Sequence, residues 1–103
     1  MINEFKISTD GQGLYEFTQQ PVQWLRGQGD GLLTLMICHT SASLLIQENA
    51  DPDVQHDLLA YFSRLVPSSD DPSMRYLQHT LEGPDDTPAH IKAALMPVSL
   101  SIP

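Results

Sequence analysis

Cys38-His39-Thr40-Ser41-Ala42-Ser43-Leu44-Leu45-Ile46-Gln47-Glu48-Asn49-Ala50-Asp51-Pro52-Asp53 sets polar, chemically capable residues between apolar runs and directly ahead of a helix. Upstream, residues 31–38 read as a strand buried on both faces, and residues 43–46 as a second short strand. His39, Thr40 and Ser41 then fall where one strand ends and the chain turns, where a rigid frame can hold reactive side chains. Downstream, Asp51 can accept from free backbone N–H groups and Pro52 occupies the first turn without losing a hydrogen bond, so the main helix starts there. Val54, Leu58, Tyr61, Phe62 and Leu65 share one face of it, and Pro67 stops it. His56 belongs to the polar face, while Asp57 borders the apolar one and could reach inward.

Working outward, residues 2–8 alternate around Phe5 and Ile7 as a first strand, ended by the turn Asp10-Gly11-Gln12-Gly13. A short helix follows, with Thr18 as its cap and Phe17 and Val22 spaced as a hydrophobic staple; Trp24 and Leu25 pack into the core. Beyond the main helix, Ser68-Ser69-Asp70-Asp71-Pro72-Ser73 is a polar loop and residues 74–81 are an extended segment. It leads to Glu82-Gly83-Pro84-Asp85-Asp86, a turn carrying three carboxylates. Thr87 caps and Pro88 begins a last helix, with Ile91, Ala94 and Leu95 on its inner side, and residues 98–102 alternate as a final strand. This order gives an α+β fold, with helices covering one face of a largely antiparallel sheet.

At 103 residues the chain makes one domain, and 41% hydrophobic with 17% charged residues suits a folded globule. A net charge of -8 disfavours a nucleic-acid partner, because phosphate contacts need a basic surface. Neither a membrane-spanning apolar run nor a signal leader is readable, so a cytoplasmic location is expected. The single cysteine, Cys38, permits no internal disulfide and reads as a small buried hydrophobe rather than a nucleophile.

His39, His79 and His90 lie at element ends beside polar residues. Their spacing leaves two readings open: a shared metal or anion site, or three separately hydrogen-bonded histidines. His90 falls in the first turn of its helix, whose positive end favours a neutral ring able to bind metal or share a proton. Lys92 can attract phosphate or stay solvated. Asp51 is accounted for as a cap and Asn49 as a turn former, which leaves Glu48 as a carboxylate able to orient a histidine or act as a base. Ser41 and Ser43 beside His39 invite a hydrolase reading, although no nucleophile elbow is present. Glu82, Asp85 and Asp86 could hold magnesium diphosphate or be solvated.

His39-Thr40-Ser41-Ala42-Ser43-Leu44 followed by Glu48-Asn49-Ala50-Asp51-Pro52-Asp53-Val54, with His79, Glu82-Gly83, Asp85-Asp86 and Pro88-Ala89-His90-Ile91-Lys92 in that order, resembles the YjbQ-like family across residues 31–102. The resemblance implies the same α+β class, a homotrimer, and a pocket in which His39, His79 and His90 cluster. There they would hold a divalent metal such as zinc, with Glu48 and Lys92 in catalytic roles. It also implies a weak thiamine-phosphate-synthase-like activity on phosphorylated small molecules, joining hydroxymethylpyrimidine diphosphate to thiazole phosphate. The alternatives are a non-catalytic oligomeric binding protein and a metal-dependent hydrolase. Residues 1–103 would form a single YjbQ-like domain lacking the C-terminal strands usual in the family. Gln47 and Met96-Pro97 depart from the family pattern, which has asparagine and a glycine turn there.

Overall fold

The computed structural model describes residues 1–103. The chain folds as α1 (Gln19–Trp24), β1 (Leu33–Met36), α2 (Pro52–Leu65), a 3-10 turn (Pro72–Met74), α3 (Asp86–Leu95) and β2 (Ser99–Ile102). This is an α+β arrangement whose sheet is a single antiparallel pair, with Leu33 opposite Ile102 and Met36 opposite Ser99. In β2, Leu100 and Ile102 are half-buried while the serines face out, as alternation requires.

The backbone ladder continues past the strands. Ile37 donates to the Val98 carbonyl at 2.8 Å and Leu44 to the neighbouring Pro97 carbonyl at 2.7 Å. Two acceptors adjacent in sequence thus bracket residues 38–43, which leave the ladder and return to it. Leu44, 4% exposed, closes this excursion. Residues 43–46 are therefore not a strand: Leu45 and Ile46 are exposed, and the apolar run serves as an anchor at one point only. The strand expected over residues 31–38 is likewise shorter and one-sided. Leu33 and Leu35 are half-buried, whereas Leu32 and Met36 are 67% and 72% exposed. Cys38 lies on the excursion and is exposed, not a core residue.

Residues 2–8 form no strand. Their alternation lacks a ladder partner; what is built there is an edge-on contact of Phe5 with Trp24, ring centroids 5.9 Å apart and planes at 80°. Thr18 adopts helical angles and makes no side-chain cap, and Val22 is half-exposed, so the staple at α1 does not form. At α2 the sequence signal holds: Asp51 is extended and its carboxylate accepts from the Asp53 N–H at 2.9 Å. Such a cap contributes about 1 kcal/mol. Val54, Leu58 and Phe62 are half-buried, but Tyr61 and Leu65 stand in solvent and α2 has no fully buried residue.

α3 begins at Asp86, after Gly83 takes a positive φ of 103° that a side chain would resist. Thr87 is not its cap, because its hydroxyl donates to the His79 carbonyl. The buried face of the helix differs from the expected one. Pro88 and Ala93 are buried, Ile91 is half-buried, and Ala94 and Leu95 are exposed. Lys92 donates to Gln12 Oε1 at 2.8 Å, and Gln12 Nε2 donates to Ser63 Oγ at 2.9 Å, so the turn after residue 10 ties α3 to α2.

The radius of gyration is 16.0 Å, against about 13 Å for a compact domain of this length. Only six residues are buried, so stability leans on caps and local hydrogen bonds more than on a core. Asp71 is one of these, accepting from Ser73 N–H at 3.0 Å and Ser73 Oγ at 2.7 Å, which holds its carboxyl below the usual 3.8. A depressed carboxylate stabilises the fold above its unfolded pKa, and that contribution disappears as pH falls through the folded value. Asp71→Asn should therefore lower the urea midpoint at neutral pH, and the gap from wild type should shrink steadily below pH 3.8.

Candidate active site

The excursion of residues 38–43 brings the Thr40 carbonyl against α3, with His39 and Ser41 next to it in sequence. His39 Nδ1 receives two contacts from Ser41, the backbone N–H at 3.1 Å and Oγ at 2.8 Å. His90 Nδ1 lies 3.0 Å from the Thr40 carbonyl oxygen, a bond between residues fifty apart in sequence. Because a carbonyl only accepts, His90 Nδ1 donates, and its Nε2 is turned towards Asp86 Oδ2 at 3.6 Å. His79 Nε2 approaches the same oxygen at 3.3 Å. One carboxylate oxygen thus gathers two imidazoles, one from the loop before α3 and one from the next turn of α3 itself.

Local chemistry explains the grouping. Asp86 and His90 are four apart, the spacing that stacks side chains on a helix face. Thr87, one position on, anchors the His79 backbone through its hydroxyl. His90 is the fifth residue of α3, not part of its first turn, so the helix terminus is not what acts on it. Its partners are Asp86 and the Thr40 carbonyl.

The other candidates lie elsewhere. Glu48 is exposed, its backbone N–H held by Gln47 Oε1 at 3.1 Å, and its carboxylate makes no contact with the histidines. Lys92 faces Gln12; burial pushes its amine below the usual 10.5 while Asp85 partly offsets this. Asn49 donates to Glu16 Oε1, a pairing across thirty-three residues that nothing in the local sequence announces. His56 is solvated as expected, but Asp57 does not reach inward; it pairs with His56 at 3.1 Å, and both side chains are about four-fifths exposed. Of the acidic turn, Asp86 joins the histidines while Glu82 and Asp85 remain exposed.

His79, Asp86 and His90 carry nitrogen and oxygen donors of the kind zinc takes. Yet no three histidine, cysteine, aspartate or glutamate side chains converge as a metal-holding set. His39 adds a second obstacle, since its Nδ1 is already occupied by Ser41. The donor set as built does not fit a three-histidine metal centre. It does fit proton sharing, with two imidazoles beside one carboxylate. An open depression of about 420 Å³ borders the segment that leads to His79, lined in part by Ser69, Asp70, Arg75 and Thr80, so that a carboxylate stands among its donors. Its guanidinium and hydroxyls are groups that hold phosphate oxygens.

This fold and these motifs place the chain in a known group. It belongs to the UPF0047 protein YjbQ-like family, which it matches over residues 3–103. It is 48% identical over 99 residues to a UPF0047 protein of Synechocystis, covering 94% of this chain and 65% of that one. With the UPF0047 protein YjbQ of Escherichia coli it shares 45% identity over 73 residues, 71% of this chain and 49% of the other. The chain therefore spans between about half and two thirds of these relatives. The crystal structure of a conserved hypothetical protein from Thermus thermophilus superposes with a TM-score of 0.79 at 33% identity, covering 95% of this chain and 71% of that one. A YjbQ/UPF0047-family protein from Clostridium acetobutylicum gives 0.68 at 33% identity, covering 95% and 70%.

Because Asp86 is what His79 and His90 share, Asp86→Asn should shift the ring NMR resonances of both and leave those of His56 in place. Shifts confined to one ring would show that the carboxylate serves only that histidine.

Proposed function

We propose that the protein is a weak transferase of the thiamine-phosphate-synthase type, acting in the cytoplasm on phosphorylated small molecules. The observation that supports this is the gathering of His79 and His90 around Asp86, beside a turn that carries a third histidine. In the proposed reaction the thiazole nitrogen bonds to the pyrimidine methylene carbon as that carbon's bond to the diphosphate oxygen breaks. The leaving diphosphate gathers negative charge, which a free ring N–H such as that on His39 Nε2 is suited to receive. Asp86 keeps the two rings oriented while this happens. Glu48 and Lys92 make no contact with the cluster, and this reading assigns the steps to the histidines and Asp86.

A second reading, a non-catalytic oligomeric binding protein, is favoured by one specific feature. Tyr61 and Leu65 are more than half exposed on a face of α2 that also carries Ala60, with Asp57 and Arg64 at its sides. Unlike charges flanking an apolar strip suit a second copy of the same chain, and we propose a homotrimer assembled through such faces. No helix is long and apolar enough to cross a membrane.

Expression in a strain lacking thiamine-phosphate synthase tests the transferase. The wild-type chain should restore growth without thiamine, and His90→Ala or Asp86→Ala should cut the purified activity by about 10²- to 10⁴-fold. Failure of the wild type to rescue, with protein present, would overturn the transferase and leave the binding protein. Light scattering should give a mass three times the 11.4 kDa of one chain, and a monomer at micromolar concentration would remove the trimer.

A further inference from the structure

The Ser41 N–H that reaches His39 and the Thr40 carbonyl that reaches His90 belong to one peptide unit. The N–H can only donate, so His39 Nδ1 is an acceptor and carries no proton; in the neutral ring the proton sits on Nε2. The carbonyl can only accept, so His90 Nδ1 carries the proton, and the Nε2 of its neutral ring is bare. A single amide therefore imposes opposite tautomers on two histidines. Each bond polarises the amide in the sense that strengthens the other.

We propose that the Thr40–Ser41 peptide divides the work of the site. It makes His39 a fixed hydrogen-bond donor through Nε2–H and His90 a fixed acceptor through Nε2, for the two kinds of oxygen on a monoprotonated phosphate ester. His39 presents its donor to an unprotonated phosphate oxygen. His90 receives the hydrogen of the P–OH, with Asp86 Oδ2 beside that nitrogen to face the transferred positive charge. The assignment rests on the phosphorylated substrate class proposed above and gives each ring its role. It also explains why His39 is no metal ligand: one ring nitrogen is taken by Ser41 and the other bears a hydrogen, so neither offers a free lone pair.

The tautomers can be read directly by long-range proton–nitrogen NMR on the full chain labelled with ¹⁵N at histidine, at a pH where the rings are neutral. His39 should show the Nε2–H pattern and His90 the Nδ1–H pattern. Inorganic phosphate should then shift the ring nitrogens of His39 and His90 together, and zinc added alone should leave His39 unmoved. Ser41→Ala, which keeps the backbone N–H, should preserve the His39 tautomer. His39 in the Nδ1–H form, or zinc shifting His39 with His79 and His90, would overturn the proposal. Phosphate that moves neither His39 nor His90 would overturn the ligand assignment. None of these readouts depends on turnover, so failed growth rescue with the expected tautomers would count against the transferase alone.

Discussion

The pairing of the two ends of an apolar ladder, Leu33 with Ile102 at one end and Leu44 with Pro97 at the other, governs the geometry of this molecule. It joins segments more than fifty residues apart, a closure whose entropic cost must be met by what it assembles. The ladder assembles the site. With Ile37 and Leu44 bonded to adjacent carbonyls, residues 38–43 have no place in the sheet and must project from it. The same carbonyls, on Pro97 and Val98, directly follow α3, so the projected turn meets the helix that carries His90. Leu44 at the end of the excursion and Pro88 early in α3 are both buried.

A two-stranded sheet is marginal alone, and little else here is buried. The expanded shape and the exposed Met36, Tyr61, Leu65 and Tyr76 describe a fold with much apolar surface still open to solvent. Local devices carry more of the load in such a molecule. The Asp51 cap, the Asp71–Ser73 turn and the Lys92–Gln12–Ser63 chain each hold a joint that a large core would otherwise hold. The lowered amine of Lys92 shows the cost of this economy, since its charge is kept at a half-buried joint chiefly against desolvation.

How much was legible in the sequence depended on whether the signal was local. Asp51-Pro52 and Pro67 marked both ends of α2 because capping is settled within a few residues. The alternation of residues 98–102 marked β2 because its partner exists. Residues 2–8 alternate and residues 43–46 make an apolar run, yet neither forms a strand, since a strand also needs a neighbour, and pairing is not written in the strand's own period. The three histidines stood out, but their grouping did not. The one local clue to it was the four-residue spacing of Asp86 and His90, which places a carboxylate below an imidazole on any helix. Thr87 misled for a physical reason: threonine before proline suits a cap, yet its hydroxyl found a carbonyl eight residues back.

The peptide between Thr40 and Ser41 shows why backbone can decide side-chain chemistry that composition leaves open. A histidine in water exchanges its proton between two nitrogens, and nothing in its neighbours' identities selects one. A backbone amide has one donor and one acceptor in fixed opposition, so any two imidazoles bound through the same ring atom at its two ends must differ in tautomer. Here both rings are bound through Nδ1, and the difference therefore appears at both Nε2 atoms. Replacing either side chain at 40 or 41 leaves that amide in place. The asymmetry between His39 and His90 follows from the path of the chain through the ladder excursion, and only a change that moves residues 38–43 relative to α3 can remove it.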